Sequence, residues 1–309
     1  MALMTHVERR HGQAEARAEA CAEACGANAL HQPGPPHGIR VADTFMAVTT
    51  ELRPRPFPFS GDSVTAVVTT RHGGVSTGVY DSLNLGDHVG DDHEAVLENR
   101  RRLAAALGVG RLTVADQQHR DRVAVIGADL AGRGHDGDTD ARDALPGTDA
   151  MVTSLPGVAL ATIVADCAPV VLFDPVHRAI GVAHCGRRGT VLGTLPKTIS
   201  VMREAFGSQP GDLAVGIGPA IGADSYEIGE AEAGEVTAAF PGTGKLLRPT
   251  RPGHWTFDMT GALRIQLRDA GVQDVHPMGI DTRTSTGDFF SDRAARPCGR
   301  FMAVAMLPG

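Results

Sequence analysis

The distribution of apolar positions divides the chain in two. From about residue 63 onward, short apolar runs alternate with longer stretches whose apolar positions recur at helical spacing. Runs at strand length predict strands, and a 3.6-residue period predicts helices. SVTAVVTT predicts a strand over 63–70, RVAVIG one over 122–127 and LAVGIG one over 213–218. VALATIVA (158–165), PVVLFD (169–174) and RAIGVAH (178–184) are almost continuously apolar. Runs without polar alternation predict strands covered on both faces. Further strands are expected near 274–280 and 300–307. Helices are expected over 92–107, with Asp91 or Asp92 as N-cap, over 189–206, and at about 229–239 and 258–270. In the second of these, Pro196 either conflicts with the helix or marks a late start. The Gly- and Asp-rich stretch 128–148 carries no period and reads as a loop.

The first 60 residues follow another pattern. ERRHGQAEARAEACAEACG (8–26) is rich in Ala, Glu and Arg and has no broad apolar stripe. HQPGPPHG and RPRPFPF after it are Pro-rich breakers. The expectation is a disordered or weakly helical extension over 1–60, followed by a single α/β domain over 61–309. Cys21 and Cys25 share one face of any helix there, but no second ligand pair lies near them.

Composition narrows the function classes. Apolar residues at 42% suit a folded domain. With 29 basic against 36 acidic residues, the chain lacks the basic field of a nucleic-acid or membrane-surface binder. No apolar run approaches the roughly 18 residues of a membrane span, and the first residues show no signal-peptide core. Five cysteines, an odd number and far apart except for Cys21 and Cys25, do not form a disulfide framework, so a cytoplasmic protein is expected.

Candidate chemistry gathers where strands break. Asp166 and Cys167 sit between two apolar runs, and Pro169 prevents a helix from continuing through them. His184 ends a strand and leads into Cys185-Gly186-Arg187-Arg188-Gly189, a turn whose backbone N–H groups and Arg188 suit an anion. His119 precedes the strand at 122–127. Two imidazoles and a thiolate suit zinc with an open fourth position, although no local spacing rule joins the three. TTRHGGVSTGVYDSLNLGDHVGDD (69–92) is a Gly-rich loop, neither P-loop nor Rossmann, with Arg71, Ser76 and Asn84 as ligand candidates. Near the C-terminus Arg293, Arg296 and Arg300 either are solvated or face a phosphate.

Taken in order, these segments resemble the YfiH-like laccase-domain family. The matching pieces are the 69–92 loop, QQH (117–119), PGVALATIVADCAPVVLFDP, AHCGRRG, GPAIGADSYEIG (218–229) and DFFSDR…CGRF. They span residues 63–309. The resemblance implies a domain with a large mixed sheet flanked by helices, where the strand pattern alone permits a doubly wound fold. Members were first named multicopper polyphenol oxidases and are now regarded as zinc-dependent purine nucleoside phosphorylases that also deaminate adenosine. It further implies a zinc ion on His119, Cys167 and His184, with Arg71, Asn84, Arg188 and Arg293 at phosphate or nucleoside. Asp166 is the expected proton shuttle or orienter of a ligand. Three departures stand out: Arg120 where the family has Gly, Cys185 and Arg187 where it has Ala and Trp, and Ala223-Asp224-Ser225 in place of its paired cysteines.

The implied partners are a purine nucleoside and phosphate, for a monomer or small homo-oligomer. Three other functions compete. A copper polyphenol oxidoreductase needs H-x-H pairs, and no two histidines here lie two residues apart, which leaves copper only as an adventitious ion at the soft site. A hydrolase with Cys167 as nucleophile and a histidine as base uses the same residues. A non-catalytic regulatory protein would keep the fold alone.

Overall fold

The computed structural model describes residues 52–137 and 145–309. Two mixed sheets are stacked face to face. The first, in spatial order, consists of β1 (Arg55–Pro56), β2 (Thr65–Val68), β14 (Phe301–Met306), β6 (Ala159–Val164) and β3 (Leu112–Val114). The second consists of β13 (Asp274–Pro277), β9 (Ala214–Ile217), β7 (Ala168–Asp174), β8 (Ala179–Cys185), β5 (Ala150–Thr153) and β4 (Val123–Val125). A small antiparallel sheet of β10 (Glu227–Gly229), β12 (His254–Phe257) and β11 (Leu247–Arg251) lies apart from both.

The two-sided apolar runs explain the stacking. In β6, Leu160 and Val164 pack between the sheets with Val171, Ile180 and Val182, while Ala159, Ala161 and Ile163 pack the other way. That outer face is covered by α1 (His93–Ala106) through Leu103 and Ala104. The outer face of the second sheet carries Leu195, Ile199 and Met202 of α3 (Thr194–Phe206) and Leu263 and Leu267 of α5 (Met259–Ala270). The order of layers is helix, sheet, sheet, helix. The expected α/β domain with a mixed-sheet core flanked by helices is what the chain forms; the core is divided into two sheets, one face of each being covered by the other sheet rather than by helices.

Other expectations fare differently. Asp92 caps α1, its side chain accepting from Ala95 N at 2.9 Å. The helix expected over 189–206 is interrupted at Gly193, with φ +81°, giving α2 (Arg187–Leu192) and then α3. Pro196 falls in the first turn of α3, where its missing N–H costs nothing. Residues 52–60, expected in the extension, pack on the domain: Leu52 and Phe57 are buried, and β1 pairs with β2. The expectations for residues 1–51, Cys21 and Cys25 included, lie outside the described residues. α4 (Glu230–Ala239) follows its expected range.

Candidate active site

Three strand ends meet at one edge of the stack. The chain leaves β3 at Val114 toward His119, turns from β6 to β7 through Asp166 and Cys167, and ends β8 at Cys185. The Gln117 side chain extends the pairing of β3 with β6: Oε1 accepts from Ile163 N at 2.7 Å and Nε2 donates to Ile163 O at 2.8 Å. Two residues on, His119 takes φ +56°, and Asp166 takes φ +82°. Both lie in the left-handed region that few non-glycine residues occupy. A Cβ at Gly186 would lie 2.7 Å from Cys167 Sγ and 2.9 Å from His119 Cδ2, so only glycine admits this approach.

The outcome is a His–Cys–His group whose ligand atoms all lie within 4.8 Å of one another. Cys167 Sγ is 3.6 Å from His119 Nε2. A tetrahedral ion about 2.3 Å from sulfur and about 2.1 Å from nitrogen separates such donors by about 3.6 Å. His184 gives its Nδ1 to Asp149 Oδ1 at 2.8 Å, which leaves Nε2 for the group. The residues thus fit a metal ion. Burial works to raise the Cys167 thiol, but His184 and His119 more than offset it and bring it down to about 6. Burial works to lower His184, and Cys167 and Asp149 overcome it and lift the imidazole to about 9. A metal ion binding there displaces the imidazolium proton.

The group lines a cavity of about 500 Å³. Ile163, Val164, Ile221 and Met259 supply apolar surface. Arg293, Arg296 and Arg300 supply positive charge, with Asp292, His88, Asp116 and Tyr226 beside them. An apolar wall with a few convergent polar groups is the usual form of a small-molecule site. Asp292 pairs with Arg296 and lies 3.4 Å from Arg300. The Arg293 guanidinium donates to Glu227 O at 2.8 Å and stands 5.2 Å from the Tyr226 ring. Burial, and next the Cys167 charge, push the Tyr226 phenol up to about 12, so it stays protonated and can donate.

The expected residues divide. His119, Cys167, His184, Asp166 and Arg293 all line the cavity. Asp166 accepts from Thr282 Oγ1 and from Arg293 N, both at 2.6 Å, so its oxygens hold the arginine loop. Arg71 and Asn84 are not among the lining residues. Arg71 donates to Asp81 O at 2.8 Å and Thr286 O at 2.9 Å and lies over Phe290. Asn84 is buried; its Oδ1 accepts from Gly86 N at 3.0 Å and Arg300 N at 2.8 Å, and its Nδ2 donates to Gly86 O and Asp91. Both tie the Gly-rich loop together, and Asn84 also steadies Arg300. Arg188 is exposed in the first turn of α2 and does not line the cavity. That helix has six residues, too short for the anion-binding end expected of it.

Two residues of the site carry no assignment from the sequence: Asp149, buried behind the histidines, and Tyr226 in the cavity wall. Tyr226 was visible within GPAIGADSYEIG; no local signal marks Asp149. The departures are accommodated. Arg120 serves through its backbone, its N–H donating to Asp149 Oδ2 at 2.7 Å, and its side chain is exposed. Arg187 pairs with Glu235 of α4. Cys185 faces the core beneath α3, where burial pushes its thiol far up, so it does not compete for a metal.

Residues 65–308 match the family described as multi-copper polyphenol oxidoreductase laccase. The chain belongs to this family. A relative in Mycobacterium tuberculosis, named a purine nucleoside phosphorylase, is 38% identical over 78% of this chain and 91% of its own. One in Streptomyces griseus with the same name is 39% identical over 82% and 98%. The solved structure of YlmD from Geobacillus stearothermophilus superposes with a TM-score of 0.76 at 34% identity, covering 80% of this chain and 93% of that one. The family resemblance seen in the motifs is thus established, and the fold with it.

Proposed function

We propose that the chain is a zinc-dependent purine nucleoside phosphorylase. It would cleave adenosine, inosine, guanosine or methylthioadenosine with phosphate, giving free base and the ribose 1-phosphate. The observation that carries the reading is one cavity lined by both a His–Cys–His group and three arginines. The names of the mycobacterial and Streptomyces relatives support it.

Cleavage at C1′ develops positive charge on the ribose, so the phosphate must be held close and the leaving base stabilised. Such orientation can lower a barrier by roughly 7–11 kcal/mol in favourable cases. Arg293, Arg296 and Arg300 bind the phosphate, and Asp292 keeps the last two together. Asp166 holds Arg293 by its backbone. Arg188, exposed beyond the strand that carries His184, adds to the pull on anions. Tyr226 donates a hydrogen bond, and the apolar wall receives the purine face. A zinc ion on His119, Cys167 and His184 supplies Lewis acidity and a water of lowered pKa. Adenosine deamination is a side reaction of the same cavity, with Asp166 or Tyr226 moving the proton. The three cysteines among the described residues are free, which suits a reducing cytoplasm.

Protein purified without added metal is expected to carry one zinc per chain and to release free base from nucleoside only with phosphate present. Ammonia released from adenosine without phosphate measures the deaminase reaction. A zinc-loaded protein inert toward all four nucleosides overturns the reading. The low thiol of Cys167 favours a second reading, a cysteine hydrolase; full activity of the metal-stripped protein on esters or amides would select it. Among the described residues no second His/Cys/Asp/Glu group of this kind occurs, which does not favour a multi-copper oxidase.

A further inference from the structure

Asp149 stands at the start of β5, between the segment that carries His119 and the strand that carries His184. It is buried, with 2% of its surface exposed. Its Oδ1 accepts from His119 N at 2.9 Å and lies 2.8 Å from His184 Nδ1. Its Oδ2 accepts from Arg120 N at 2.7 Å and Gln118 N at 3.2 Å. Its backbone is strapped to both sides, the N–H donating to Arg122 O at 3.0 Å and the carbonyl accepting from His184 N at 2.7 Å.

We propose that Asp149 is the positioning residue of the metal group, one carboxylate setting both histidine ligands at once. On one side it draws three successive amides around itself and so holds the left-handed turn that presents His119. On the other it accepts a hydrogen bond from Nδ1–H of His184, which fixes the tautomer and turns Nε2 toward Cys167 and His119. A carboxylate behind a ligand imidazole raises its basicity, and losing one typically costs about 10- to 100-fold in metal affinity. Here the cost covers two ligands, because the same oxygens serve both. This rests on the metal-enzyme reading only for the choice of ion, and the assembly of the three donors is tested apart from catalysis.

Asp149→Asn keeps the size but replaces one acceptor oxygen with an NH₂ group. That group must face either the Gln118 and Arg120 amides or the His119 amide together with the His184 ring, and in both places donors already point at it. The full-length chain and this variant should be titrated with zinc against a chromophoric chelator, beside thermal melts of the metal-free proteins. The expected result is zinc affinity lowered at least tenfold in a variant that still melts cooperatively. The cobalt-loaded variant should also show shifted thiolate-to-cobalt absorption, which a loss of stability alone would not produce. Unchanged affinity and an unchanged cobalt spectrum overturn the proposal. A second measurement needs no variant: nitrogen-15 spectra of the histidines in the unsubstituted protein should show His184 protonated at Nδ1, with Nε2 responding to zinc. The opposite tautomer, or a response at Nδ1, overturns it even if Asp149→Asn does not fold. Zinc affinity and nucleoside turnover separate the two ideas, since a chain that binds zinc through this arrangement yet turns over no nucleoside loses only the proposed function.

Discussion

The hairpin of β7 and β8 carries a His–Asp pair at each end. At the open end His184 meets Asp149 at 2.8 Å, and at the turn His177 meets Asp174 at 2.9 Å. Both aspartates are buried, and both accept two or more backbone amides. The pairs part beyond that point. His184 is itself buried, with Cys167 and His119 in reach and a cavity before it. His177 is exposed at a four-residue turn, and the Asp174 carboxylate folds that turn by accepting from Val176 N and His177 N. A His–Asp pair is therefore not a site in itself. What makes one is further donors at coordination distance and a space for a substrate.

The comparison breaks most sharply on exchange of the two histidines. His184→Gln is expected to abolish stoichiometric metal and, with it, nucleoside turnover. His177→Gln should leave both intact and lower stability by about 1 kcal/mol, the scale of one hydrogen bond. Metal analysis and a urea titration of the two proteins check this, and equal activity losses would erase the distinction. Next in size is Gly186→Ala. The added Cβ needs room that Cys167 Sγ and His119 occupy, and a displacement of about 1 Å at reacting groups can cost about 10²-fold in kcat. Steady-state kinetics with zinc in excess would detect that loss, and wild-type kcat would mean the donors can shift freely.

The arginine wall refines the point that a cavity, not a pair, decides function. Arg293→Ala should lower kcat/KM for phosphate by about 10- to 100-fold, the worth of a hydrogen bond to a charged group. Asp166→Asn should do less, since it acts through the Arg293 backbone. The double variant should be no worse than Arg293→Ala alone, because changes in one network are not additive. Additive losses would instead give Asp166 a role of its own, such as the proton transfer expected of it.

How legible all this was in the sequence depends on where each residue's partners lie. β2, β6, β7, β8, β9 and β14 were readable because their runs are apolar or β-branched. β3 and β5 were missed at three and four residues, and β11, LRPTR, because it is polar and exposed. The metal ligands come from three segments that only the topology unites, so the resemblance, not the spacing, brought them together. Arg71 and Asn84 looked like ligand contacts because polar groups in a Gly-rich loop read alike whether they face a substrate or tie the loop. Asp149 left no signature: its value is in amides and a ring nitrogen some 30 residues away.

The smallest expected effect lies at the turn and depends on pH. Burial works to raise the Asp174 carboxyl, but the Ser208 hydroxyl beside it, and after it the hydrogen bonds from His177 and Val176, prevail and hold it below its usual value. A carboxylate with a depressed pKa in the folded state contributes stability above its unfolded value, about 3.9, and loses it as the pH falls through the lower folded value. Unfolding free energy from urea titrations should therefore drop as the pH is taken below about 4. Asp149 is depressed as well, burial being overcome by His184 and the backbone amides, and adds to the same fall. Asp174→Asn removes one of these contributions, beside those of Asp149 and of the depressed Asp121 and Glu227, so it should make the drop shallower while leaving metal content at neutral pH unchanged. An undiminished acid slope in that variant would mean that the turn aspartate is no more stabilised than a surface carboxylate. The likeness between the two ends of the hairpin would then be one of geometry only.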